Sequence, residues 1–147
     1  MKTKVVAYWA ATGVLAFCIG SGGAAELAQV PGNVQGLADL GYPAYFVMLI
    51  GLWKVLGAIA VLVPAFPRLK EWAYAGMFFN MTGAAVSTIA VTGTHEPWHV
   101  VAQLLMAALV VSSWALRPPS RTLGVLVQDR SRQALSETSL APAGLAA

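Results

Sequence analysis

Between Leu40 and Ala90 the chain makes two long apolar runs and joins them by a short basic turn. One run extends from Pro43 to Val63 and the other from Glu71 to Val91, with Pro64, Pro67, Arg68 and Lys70 between or at their edges. A run of about 20 residues at about 1.5 Å each crosses a hydrocarbon core of about 30 Å. Lipid offers no partner to a backbone N–H or C=O, so each run must satisfy its own backbone as a helix. Each also carries a polar residue near its middle, Lys54 in one and Asn80 in the other. An ionisable side chain at that depth is expensive, and it marks a candidate functional site.

Two further spans flank this pair, over residues 5–27 and 97–116. The start of the first, MKTK followed by an apolar stretch and SGGAAE, has the shape of a secretion signal. We read it as an uncleaved span, with Tyr8 and Trp9 at the interface and Ala16, Gly20 and Ala24 forming a small-residue row for helix contact. Between the first two spans, Pro31, Gly32, Gly36 and Gly41 punctuate a loop over residues 28–42. On the third span Gly76, Asn80, Gly83 and Ser87 recur at helical spacing and share a small, polar face. Residues 117–147 lose the apolar pattern and read as a flexible cytoplasmic tail, with a brief amphipathic patch at 123–127. The fold class is all-α, an integral membrane four-helix antiparallel bundle occupying residues 1–116.

Composition agrees. The chain is 58% hydrophobic and 10% charged, whereas a soluble domain is about 25% charged. Its net charge of +3 is not gathered on a nucleic-acid-binding face. Lys2 and Lys4 precede the first span, Arg68 and Lys70 join the second and third, and Arg117, Arg121, Arg130 and Arg132 follow the fourth. The other two connections hold no Lys or Arg, so both termini and the 64–71 turn belong in the cytoplasm, and the protein in the cell membrane.

Lys54 lies about 16 Å into a helix that enters from outside, and Asn80 about 13 Å into one that enters from inside, so both come near the midplane. Gln103 in the fourth span lies further out, and Glu26 and His99 lie near the outer ends. Should these faces converge, they form a polar column opening outward. Lys54, Asn80 and Gln103 are then the candidate ligand-binding donors, with Glu26 and His99 beside them. A purely structural alternative pairs Lys54 with Glu26 or Asn80. His95-Glu96-Pro97-Trp98-His99 matches the zinc pattern HExxH by letter, but Pro97 belongs in a helix's first turn and puts His95 before it. His95 and His99 are therefore weak metal candidates, needing a third ligand from Glu26 or Asp39. Cys18 is the single cysteine and reads as a small apolar residue. Glu71, Trp72 and Tyr74 read as anchors at the inner interface or as a partner contact.

With these residues placed, the chain resembles the DoxX-like family of small four-span membrane proteins. The likeness rests on Leu40-Gly41-Tyr42-Pro43, on Gly51, Lys54 and Gly57 at steps of three, on Pro64, on Lys70-Glu71-Trp72-Ala73-Tyr74-Ala75-Gly76, and on Gly83-Ala84. It covers roughly residues 5–116. Some members are described as subunits of a thiosulfate:quinone oxidoreductase or of other membrane oxidoreductase complexes. That resemblance implies a quinone ligand and a redox partner subunit, membrane-bound or soluble. Many members carry a histidine after the serine of the third span, where this chain has Thr88. We read no redox cofactor ligands in the chain itself, so whether it is an enzyme stays open. A membrane-embedded isomerase or hydrolase using Lys54 with Glu26 or His99, and a small transporter or assembly scaffold, are the alternatives. Four helices enclose little space, which also leaves a homo-oligomer open.

Overall fold

A computed structural model describes residues 2–64, 66–93, 97–118, 121–122 and 131–133. Among the described residues five helices follow in order: α1 (Lys2–Leu27), α2 (Pro31–Asp39), α3 (Ala44–Leu62), α4 (Pro67–Thr92) and α5 (Pro97–Ala115). Thr3–Leu27, Ala44–Leu62, Pro67–Thr92 and Pro97–Ala115 are long and apolar enough to cross a membrane.

Prolines mark the start of every helix after α1. Pro31, Pro67 and Pro97 open α2, α4 and α5, where a missing N–H costs nothing. Pro43 is the N-cap of α3 and sits just outside the helix, in extended backbone. Val63 is forced out of the helical region by the proline that follows and ends α3 at φ −59°, ψ 133°. Gly93, at φ 63°, closes α4.

The four spans form a ring. α1 packs most extensively on α3 and α4 on α5, while a thinner α3–α4 seam and an α1–α5 contact complete it. Leu15, Ile19, Ala58, Val61, Tyr74, Met77 and Val110 make the core. The outward side chains, Phe17, Phe79, Val86 and Leu105 among them, are large, apolar and exposed, as a lipid-facing surface requires.

Two expectations change. The 28–42 segment is not all loop, because Pro31–Asp39 forms α2, with no buried residue of its own. It lies against the ends of α1 and α3. The small-residue row of α1 runs through Gly23 rather than Ala24. Ala16 and Gly23 are buried and Ala24 is exposed, because a step of three keeps closer to the α3 seam there than a step of four.

The expected tail lies mostly outside the described residues. Its first part is docked on the bundle. Arg117 is buried, and Arg121 donates to the Tyr8 hydroxyl at 3.3 Å and to the Val61 carbonyl at 3.4 Å.

Candidate functional site

The site begins with a backbone contact. A Cβ on Gly23 would lie 2.7 Å from Lys54 Cβ and 2.8 Å from the Gly51 carbonyl oxygen. A Cβ on Gly51 would lie 2.9 Å from Glu26 Cβ and 2.9 Å from the Gly23 carbonyl oxygen. No real side chain fits either gap, so the two glycines let α1 and α3 touch backbone to backbone. Glu26 stands one turn beyond Gly23, and Lys54 stands three residues beyond Gly51. The contact therefore brings carboxylate and ammonium together.

Lys54 Nζ donates to Glu26 Oε1, forming a salt bridge in the shelter of the bundle. The Glu26 side chain is 4% exposed and that of Lys54 17%. The other carboxylate oxygen, Glu26 Oε2, is buried and has no hydrogen-bond partner among the described residues. An ammonium has three N–H donors, so Lys54 keeps two beyond the one spent on Glu26.

This pair forms part of the wall of a cavity of about 750 Å³, to which all four spans contribute. α1 brings Glu26, α3 Lys54, α4 Asn80, and α5 both His99 and Gln103. The five candidate ligand-binding residues are therefore together. α2 covers one side through Asn33, Leu37 and Asp39. Gly83 leaves room on α4, where an added Cβ would meet nothing within 4 Å. Of the small face read from the sequence, Asn80 and Gly83 line this cavity.

Several contacts order the wall. Gln103 Nε2 donates to Thr88 Oγ1 at 3.2 Å, and Thr88 in turn donates to the Ala84 carbonyl at 3.0 Å. The Tyr42 and Ser87 hydroxyls lie 2.5 Å apart and tie the start of α3 to α4. Tyr42 also stacks on Phe46, with ring centroids 4.7 Å apart. Thr88 and Tyr42 were not singled out as site residues. Their signal was present: Thr88 stands beside Ser87 on the face that carries Asn80, and Tyr42 belongs to the family string.

The metal expectation stays apart from this geometry. His95 lies outside the described residues, and His99 lines the cavity. Among the described residues no group of three or more His, Cys, Asp or Glu gathers as a metal site.

A second polar cluster holds the other end of the bundle. Ser113 is its hub, with Thr12 Oγ1 at 2.8 Å and the Tyr74 hydroxyl at 2.9 Å, all of them buried. Arg117 pairs with Glu71 at 2.7 Å, and Trp114 Nε1 donates to the same carboxylate at 2.8 Å. The Arg117 guanidinium also sits over the Tyr74 ring, 5.1 Å from its centroid. Lys70 is fully buried and donates to the Ala60 carbonyl at 3.0 Å and to that of Val63, closing the C-terminal end of α3. Glu71 and Tyr74 thus act within the bundle, while Trp72 faces outward, 81% exposed.

Comparison with known proteins adds a family. A model of the DoxX-like family matches residues 10–113. No curated protein and no solved structure matches the chain.

Proposed function

The chain belongs to the DoxX-like family, and from that premise we propose that this four-span membrane protein holds the head group of a lipophilic, quinone-like molecule in its cavity. One observation carries the reading. Residues from all four spans, chosen for their chemistry alone, border a single space of about 750 Å³. Lys54 and Asn80 donate to the two carbonyl oxygens of such a head group. Glu26 holds Lys54 in place through their ion pair. Gln103, held by Thr88, supplies a further polar edge. The apolar remainder of the cavity suits the ring.

The chain then serves as the quinone-binding membrane subunit of an oxidoreductase system. Electrons need a carrier, and the carrier belongs to a partner subunit. The arrangement is antiparallel, with both termini in the cytoplasm. Contacts of Gly20 with Ala58 and of Gly23 with Gly51 support it for α1 and α3, and those of Thr88 with Gln103 and Tyr74 with Ser113 support it for α4 and α5.

Gentle extraction from the native membrane, followed by native mass spectrometry and identification of bound lipids, tests the reading. A quinone is expected to co-purify with the wild-type protein and to be lost from Lys54→Met. Equal retention of the molecule by Lys54→Met overturns it.

A further inference from the structure

A second space meets the first. It is an apolar groove of about 350 Å³ between α3 and α4, bordered by Trp53, Leu56, Gly57, Leu69, Trp72 and Gly76. Lys54 and Asn80 border both the groove and the cavity. The cavity runs from these two residues toward α2, and the groove runs the other way, toward the α3–α4 turn. Along α4 the groove extends from Asn80 to Leu69, about 16 Å at the helical rise. It lies on the thinner of the two seams that α4 makes within the ring. Trp53 and Trp72 are 64% and 81% exposed, so its outer lip faces the lipid.

We propose that this groove is a lateral portal that carries the hydrocarbon chain of the ligand whose head occupies the cavity. The site therefore takes an amphiphile, a carbonyl-bearing ring with a linear or isoprenoid chain, and admits it from the bilayer between α3 and α4. This rests on the head-group reading above and deepens it. The shape agrees with the chemistry. The polar residues stop at Lys54 and Asn80, where a head would end and a chain begin. Gly76 and Gly57 put no side chain into the groove. At Gly76 an added Cβ meets nothing within 4 Å, whereas at Gly57 it comes within 3.1 Å of Met77 Cε.

Lipid is as apolar as the groove, so moving a chain from one to the other gains little. The groove consequently adds little affinity of its own and instead gives the chain of a bound head a path out to the bilayer. In wild-type protein a benzoquinone with a short chain and one with a ten-carbon chain should bind about equally. Gly76→Leu puts a branched side chain into the open groove and replaces a glycine with a better helix former, so the fold is retained.

The test is quinone quenching of tryptophan fluorescence, with the protein in lipid nanodiscs, for both quinones. In Gly76→Leu the long-chain quinone should bind at least tenfold more weakly while the short-chain one is unchanged. A second variant, Val86→Leu, changes the lipid-facing side of α4 away from both spaces and should leave both unchanged. Equal binding of the long-chain quinone to wild type and Gly76→Leu overturns the portal but leaves the head-group site standing. An equal loss of both quinones in Gly76→Leu also overturns it. Failure of both to bind wild type overturns the head-group reading, and the portal with it.

Discussion

Lys54 and Glu26 stabilise each other only as a pair. Each is sheltered from water, and a charge left alone in such a place carries an uncompensated desolvation cost of several kcal/mol. Lys54→Met strands the Glu26 carboxylate and should lower stability by about 3 kcal/mol. Glu26→Gln combined with Lys54→Met removes both charges and should restore most of the loss. Thermal unfolding in detergent, followed by circular dichroism, reads both effects, and a double variant as unstable as the single would show that the charges are not coupled. The double variant is also the better vehicle for ligand binding, since it separates a lost donor from a lost fold. Ser113 raises a similar question without charge. Ser113→Ala leaves the Thr12 and Tyr74 hydroxyls without their shared partner, and should cost about 1–3 kcal/mol in the same assay. No measurable change would mean that the two hydroxyls find each other instead. Lys54 and Asn80 were legible as candidates because polar residues are rare in such spans. Ser113 was not, because a serine in an apolar helix satisfies itself on its own backbone as readily as across the bundle.

At the scale of the helix, neighbouring glycines on α1 have opposite roles. Gly23 faces α3 with no room for a methyl group, whereas at Gly22 an added Cβ meets nothing within 4 Å. Gly23→Ala must push α1 from α3 and separate Glu26 from Lys54, so it should destabilise the bundle by about 2 kcal/mol, in the range for overpacking. Gly22→Ala only gains helix propensity and should be neutral or stabilising by up to about 1 kcal/mol. Unfolding of the two variants side by side decides the matter, and an equal response would dispose of the close crossing. The spans themselves could be read from length and hydropathy, because lipid demands long unbroken helices. The short α2 could not. It spends two of its nine residues on glycine and buries nothing, so its helical state comes from Pro31 at its start and from the helix ends it rests on. Gly23 was missed for a related reason. Ala24 is as small, and only the packing of α3 decides between a step of three and a step of four.

The two ends of the whole molecule are built differently. At one end the basic residues that orient the chain are also tied into the bundle. Arg117 is held by Glu71, Lys70 closes α3, and Arg121 reaches the carbonyls of Val61 and Leu62. At the other end α2 lies over the cavity without a buried residue of its own. A cation is costly to move across the membrane, so in the orientation proposed above the firmly tied, basic end is the cytoplasmic one and the cavity faces out. Single cysteines test this arrangement after Cys18 has been replaced by serine. Arg68→Cys, at the start of α4, should react with a membrane-impermeant maleimide only when the cytoplasmic side is opened. Ala38→Cys, on the exposed surface of α2, should react in intact cells. If both label from one side, an odd number of spans separates positions 38 and 68 no longer, and the orientation fails. If the sides are reversed, the cavity opens to the cytoplasm, and any head group bound there would exchange protons with that compartment instead.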